Sequence, residues 1–580
     1  MNHSHKSLFL ILAIVLFSAI SICAQAPQDN SAAEKEKIDA LREKAYKLLD
    51  TIAGQLTTLQ SSENRARMGA NILDSLWKHD EERARSLLRV VQEDIKTELQ
   101  KHDGDARYDV RFQVFLKLRY DTVERIAKHD GQAALDFLQV TEPVFENQGP
   151  YEFRENEQAL KLRLAKQVAT NNPDVALKLG LESLKKSLDP DVLKVLNKLN
   201  RKHKEQAHAL YKAILEELPD ANMVDAWHVR DFVQTLVQAY EPPDVDESMY
   251  RALVGRVVST ALEQGCTKKP SEEEDEQSDF CRWAATTLRN AEKYDSRVGR
   301  IKHWKGDYDS RKFAFIDDEV NELLEASAYD QLEALAAKHP ELQAGIYHQA
   351  ILHARSEGKL DQARKMIDRF PVDDHEMRQM LVSLMERMEQ KVTITDEKMA
   401  EIQAGVDIVA ANERVQYLLA TAGQLVFFDE KASLKFLNQA SQLIDTMKPG
   451  KEQTQMRLAL AMMYSQLKSD RAFAIMESLV PKLNELVEIA AKLDGYDTNY
   501  LRDGEWNMSA NGSVGEILTT LSQQAGGFAW SDFDRAVSLA SQFERPEIRM
   551  MAHLKLAQAI VDGLRPRLNW RGRFSRFDPY

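Results

Sequence analysis

Residues 456–480 read MRLALAMMYSQLKSDRAFAIMESLV, and one helix face is legible in them at once. Met456, Leu460, Met463 and Leu467 recur three or four residues apart, as the buried stripe of an amphipathic helix does. Asp470 follows, where its side chain can accept hydrogen bonds from the free N–H groups that open a second helix. Four residues on, Ala474 is small enough to let two helix backbones approach closely. The stretch therefore reads as a helical hairpin with its corner at Asp470. The same Asp/Asn-x-x-x-Ala arrangement recurs at Asp80 with Ala84, Asp130 with Ala134, Asn172 with Ala176 and Asp532 with Ala536. Asp429 with Ser433 comes near it, and a divergent corner stands at His203 with Ala207. The corners at Asp80, Asp130 and Asn172 fall 50 and 42 residues apart, and paired helices with periods near 40 residues mark a solenoid.

Composition points the same way. A chain of 580 residues exceeds the ~250–300 at which one compact core stops growing, so several domains or an elongated array are expected. Glycine (23) and proline (16) are too few for a turn-rich all-β protein, and the 29% of charged residues is interspersed with apolar ones, as amphipathic helices require. The expected fold class is all-α, a superhelix of antiparallel helical hairpins. A formal net charge of −14 disfavours nucleic acid as a partner, since a binder of that polyanion needs a basic face.

The first residues read as an export signal. Lys6 supplies the positive start, residues 8–22 are an apolar run, and small Ala24 and Ala26 follow. The run is short of the ~20 residues a membrane span needs. Cleavage is expected after Ala24, because cutting after Ala26 would put Pro27 just beyond the scissile bond. Lipid anchoring at Cys23 is not expected, since Ile22 stands where that signal takes Gly, Ala or Ser. With no second run of spanning length, the expectation is a periplasmic or secreted protein without a membrane span.

After the signal, residues 25–240 are expected to form a first helical array. It opens with a long polar helix over 31–61 striped by Ile38, Leu41, Tyr46, Leu49 and Ile52, suited to an outer capping position. Glu241-Pro242-Pro243-Asp244 breaks the array, and residues 241–390 form a middle one. That segment carries Cys266 and Cys281 around the acidic stretch CTKKPSEEEDEQSDFC. Two cysteines in an exported chain are expected to pair, stabilising the fold by roughly 3 kcal/mol in the chain-entropy account. The acids between them read as a solvated loop. Residues 391–564 form the third array, and 565–580 a basic–aromatic tail with five arginines among Trp570, Phe574, Phe577 and Tyr580. An anionic partner would suit that tail.

One hairpin has a family likeness. In ELQAGIYHQAILHARSEGKLDQARKMIDRFP, residues 341–371, Gly358, Asp361, Ala363, Ile367 and Pro371 stand at the turn, second-helix and exit positions of a tetratricopeptide repeat, which the segment resembles. The Trp-x-x-Leu-Gly start of that family and its fixed 34-residue period are missing. The resemblance implies a superhelix of hairpins and a tendency to bind proteins, and names no ligand.

Catalytic signatures are lacking. There is no His-x-x-x-His or Cys-x-x-Cys pair for zinc, no Gly-x-Ser-x-Gly elbow and no glycine-rich phosphate loop, so no metal or cofactor is expected. The Lys-His-Asp corners at His79 and His129, and His102, suit helix ends, where a basic group complements the dipole. One stretch breaks the helical pattern: DGYDTNYLRDGEWNMSANGSVG, residues 494–515. Long irregular loops in helical proteins often bind or catalyse, so Asp497, Asp503, Glu505 and Trp506 are the candidate binding residues, with the loop as a ligand-facing lid. It is not an EF-hand, which would put Leu501 and Ala510 at oxygen-ligand positions. The sequence favours an exported, non-catalytic scaffold that binds other proteins in the cell envelope. Its alternative is a secreted hydrolase of α/α-toroid type, with acidic residues on this loop.

Overall fold

The hairpin corners share one hydrogen-bond pattern. At Asp130 the backbone N–H donates to the Ile126 carbonyl at 2.8 Å, closing helix Val110–Ala127. The Asp130 carbonyl accepts from the Ala134 N–H at 3.1 Å, opening helix Gly131–Val140. One residue thus ends one helix and begins the next. Its carboxylate also accepts from the Ala133 N–H at 3.0 Å, satisfying one of the orphan donors every helix start carries. Asp80, Asp429 and Asp532 cap Arg83, Ala432 and Arg535 likewise, at 2.9, 3.0 and 3.0 Å. The residue four beyond the corner is small and buried: Ala84, Ala134, Ala176, Ala207 and Ala536. Ser433 fills that place after Asp429, its hydroxyl donating to the Ala422 carbonyl at 2.8 Å. A computed structural model describes residues 32–563 except 102–109, 144–150, 219–221, 243–244, 269–275, 305–310, 312–313, 357–358, 371–377, 380–381, 383–394, 412, 427–428, 497 and 511.

At the hairpin of residues 456–480 the corner falls two residues earlier than expected. Lys468 ends helix Lys451–Leu467 and precedes helix Ser469–Lys492. Its N–H donates to Tyr464 at 2.7 Å and its carbonyl accepts from Ala472 at 3.2 Å. The buried small residue is therefore Ala472, while Ala474 is exposed. Asp470 caps nothing; its side chain, 96% exposed, accepts from Arg535 Nη1 at 3.0 Å. Asn172 does occupy its corner, with Pro173 in the first turn, but makes no side-chain capping bond. His203 and Lys359, ahead of buried Ala207 and Ala363, make none either. The corner is set by backbone conformation (φ −143°, ψ 76° at Lys468 and φ −129°, ψ 66° at His203), which any L-residue can adopt. A capping carboxylate adds to it without defining it.

The hairpins gather into two compact units, residues 95–325 and residues 32–94 together with 326–563. These divisions differ from the breaks at 240/241 and 390/391 that the sequence suggests. A proline pair interrupts a helix, whereas a unit is bounded where packing contacts thin out. The interrupted array on either side of Glu241 and Pro242 lies in one unit.

In the 95–325 unit, helices Tyr151–Val168 and Pro173–Leu184 pack together, as do Asp191–Lys202 and Lys204–Glu217. Arg119 is wholly buried and fully engaged. Its guanidinium meets Glu157 twice, at 2.6 and 2.9 Å, and donates to Thr141 Oγ at 3.0 Å and the Leu138 carbonyl at 2.8 Å. Cys266 and Cys281 are joined, Cα atoms 5.3 Å apart, tying the end of helix Glu247–Glu263 to helix Glu276–Thr287. Both are wholly buried, and Trp304 Nε1 donates to the Cys266 carbonyl at 2.7 Å.

In the other unit, helix Arg414–Leu425 packs on Glu430–Thr446, and Lys451–Leu467 on Ser469–Lys492. The polar opening helix, Ala32–Gln55, buries Ala45, Leu49 and Ile52 and lies against the final helix Pro546–Val561. The two ends of the described chain thus share one core. The described residues form an all-α helical repeat fold with one two-stranded hairpin. None of the described helices is long and apolar enough to cross a membrane.

Candidate functional site

The irregular stretch after helix Ser469–Lys492 turns by a short β-hairpin. Leu501 pairs with Trp506 and Arg502 with Glu505, antiparallel. The two residues between, Asp503 (φ 52°) and Gly504 (φ 80°), lie in the left-handed region. Two-residue hairpin turns require that region, and Asp-Gly supplies it at least cost. Leu501 N–H donates to the Asp494 carboxylate at 2.8 Å and Asn507 N–H to the Tyr500 carbonyl at 2.7 Å. Helix Ser513–Ser531 then resumes the array. Gly515 sits where a Cβ would overlap the Ala510 carbonyl, so only glycine permits this tight entry.

The hairpin's polar groups face the start of helix Ser62–Leu76, more than 400 residues away in sequence. Glu505 accepts from the backbone N–H of Gln60 at 2.6 Å and of Ser61 at 3.1 Å, and from Asn64 Nδ2 at 3.2 Å. It therefore acts as a charged cap on a helix start. Trp506 is buried and stacks on Tyr500, ring centres 5.4 Å apart. Its N–H donates to Glu547 Oε1 at 2.7 Å and its carbonyl accepts from Asn64 Nδ2 at 3.0 Å. Buried Glu63 accepts from Arg67 Nη2 at 2.9 Å and Ser509 Oγ at 2.8 Å, and pairs with Arg502. Glu547 also meets Arg545 Nη1 at 3.2 Å.

Of the four candidates, Glu505 and Trp506 come together in this network. Asp503 is exposed at the hairpin tip, and Asp497 lies outside the described residues. Tyr496 is 88% exposed, whereas Tyr500 and Trp506 are buried. Sequence reasoning missed Glu63, Asn64 and Glu547, which complete the network. No local pattern sets them apart from the chain's many other carboxylates and amides.

Chemically the arrangement is a clasp. Both oxygens of Glu505 and of Glu63 accept from amide, guanidinium or hydroxyl donors of the chain, so these two carboxylates join residues 60–67 to 502–509, and Glu547 ties in the third segment. In the same unit, Met476, Phe528, Leu539 and Ile548 help line a mostly apolar pocket of about 50 Å³ that Ser522 also borders. Among the described residues no group of three or more His, Cys, Asp or Glu is placed to hold a metal ion. Residues 1–24, read from the sequence as an export signal, and the 565–580 tail lie outside the described residues.

No family model matches this chain, and no curated protein matches it. Among solved structures it is similar to a "Circular tandem repeat protein with novel repeat topology and enhanced subunit contact surfaces". The identity is 13%, over 91% of this chain and 99% of that one, with a TM-score of 0.17.

Proposed function

We propose that this chain is an exported, tetratricopeptide-like scaffold that binds other proteins on the faces of its hairpins. One observation carries the reading: the single-residue corner, with its small buried residue four positions on, recurs from Asp80 to Asp532 under different side chains. A repeated backbone unit with variable surface residues makes a run of similar helical faces, each free to carry its own recognition residues. Glu505 and Trp506 fit this reading, since both serve the integrity of the array. Export rests on residues 1–24 and agrees with a buried disulfide, which persists in oxidising compartments.

The test is affinity capture by the mature chain from an envelope extract, with mass spectrometry of what is retained. A defined protein partner, held in stoichiometric amount, is the expected result. Hydrolytic turnover of an extract component with no retained protein would overturn the reading. N-terminal sequencing of the exported chain should begin at Gln25; an intact Met1 on the cytoplasmic side would remove the envelope role.

A further inference from the structure

In the 95–325 unit, Arg311 and residues 314–325 lie against earlier helices of that unit. The Arg311 N–H donates to Gln238 Oε1 at 2.7 Å and its guanidinium to Asp231 Oδ1 at 2.6 Å, both on helix Trp227–Ala239. The Phe315 ring lies 5.9 Å from that of Tyr240. Helix Ile316–Glu325 then lies against Tyr151–Val168 and Asp191–Lys202 by ion pairs. Asp318 meets Lys166 at 2.9 Å, Glu322 meets Lys198 at 2.9 Å and Arg201 at 3.3 Å, and Glu319 meets Arg201 at 3.4 Å. Val320 is its one buried side chain.

Two features separate this helix from the hairpin helices. Of its apolar residues Ile316, Val320, Leu323 and Leu324 only Val320 is fully buried, so carboxylates on cations supply much of its hold, and partly exposed ion pairs contribute only about 0–1 kcal/mol each. It also leaves its host face incompletely satisfied. Arg201 Nε and Nη2 are buried without a hydrogen-bond partner, Nη2 standing at ion-pair distance from Glu319 but not in hydrogen-bond geometry. Buried guanidinium donors without acceptors are costly, so a carboxylate placed to meet them would bind more tightly than the present occupant does.

We propose that the face built by Lys166, Lys198 and Arg201 is a docking site for an acidic amphipathic helix of a partner protein, held in cis by Ile316–Glu325 until the partner displaces it. The proposal rests on the scaffold reading and names the chemistry of its partner: carboxylates spaced like Asp318, Glu319 and Glu322 around an apolar residue. A tethered occupant has an effective concentration on the order of millimolar, so it excludes weak competitors and yields to a better-matched helix.

The probe is a fluorescent peptide of residues 314–325, AFIDDEVNELLE, added to the full chain. Asp318→Asn/Glu319→Gln/Glu322→Gln, which strips the occupant helix of its pairing carboxylates and leaves the basic face unpaired, should bind the peptide roughly ten-fold or more tightly than the native chain does. Adding Lys198→Glu/Arg201→Glu should abolish that binding, and high salt should weaken it. In the unmodified chain, excess peptide should speed hydrogen exchange of amides 316–325; this readout stands even if a variant misfolds. Equal binding by native and neutralised chains, equal binding of a scrambled peptide, or unchanged exchange would overturn the proposal. The capture experiment reads the scaffold role separately. A partner held equally by the native chain and by Lys198→Glu/Arg201→Glu would leave that role intact and overturn the docking face.

Discussion

Ala472 is wholly buried at the corner formed by Lys468, and Ala474, two residues further along the same helix, is exposed. Ala472→Leu adds three carbons where none fit and should cost about 1–3 kcal/mol; Ala474→Leu should stay within about 0.5 kcal/mol. Denaturant melts of the two variants separate these outcomes, and equal costs would move the corner. Arg119 offers a sharper case. Glu157→Gln leaves a wholly buried guanidinium without its counter-charge and should cost about 3–5 kcal/mol, whereas replacing both residues by apolar ones of similar volume should restore most of the loss. His553 adds a pH dependence. Burial, together with the charge of nearby Arg549, holds its imidazole below the ordinary 6.5, against a hydrogen bond with the Val537 carbonyl at 3.2 Å. The unfolded chain then takes up a proton more readily than the folded one. This contribution is present above pH 6.5 and is lost as pH falls through the lower folded value. Stability measured from pH 7 down to 5 should fall less steeply in His553→Gln than in the native chain.

At the scale of elements, the β-hairpin at 501–506 matters for what it fastens. Glu505 caps the helix start at Gln60 and Ser61, and Trp506 is buried between the opening and closing segments of its unit. Glu505→Gln should cost about 1–3 kcal/mol, as the loss of a charged acceptor does. Replacing residues 495–513 by a Gly/Ser linker removes Trp506 as well, and truncating a buried tryptophan alone costs about 3–5 kcal/mol. A clearly lower melting temperature is expected for the linker variant. An unchanged melt accompanied by lost partner capture would instead give the segment the lid role that its composition suggests.

At the scale of the molecule, one compact unit is continuous and the other is assembled from both ends of the chain. Residues 95–325 carry their own core, their disulfide and the Arg119–Glu157 pair, so this fragment expressed alone should fold, with a cooperative thermal transition by circular dichroism. Residues 326–580 alone lack helix Ala32–Gln55, which packs against Pro546–Val561, and the Ser62–Leu76 helix start that Glu505 caps. That fragment should be molten or aggregated, and adding residues 32–94 in trans should recover the transition. Cooperative folding of 326–580 by itself would show that the shared core of the two ends is dispensable.

The helical hairpins themselves were legible in the sequence, because amphipathic period, small residues and helix starts act over three to five neighbours. Corners at Asp80, Asp130, Asp429 and Asp532 follow from local chemistry of that range; the bonded Cys266 and Cys281, 15 residues apart, are legible instead as the two cysteines left to pair once residues 1–24 are read as a signal. The corner at Lys468 was misplaced for the same reason: a backbone conformation leaves no side-chain mark, and a nearby aspartate imitated one. Tertiary structure alone decided that Ala32–Gln55 meets Pro546–Val561, that Glu505 serves Gln60 and Ser61, and that an acidic helix rests on Lys166, Lys198 and Arg201. Each of these pairs residues far apart in sequence, through charges and apolar stripes that many other positions could equally have offered. Which carboxylate meets which cation depends on how the hairpins stack, and stacking is a property of the packed chain rather than of any window within it.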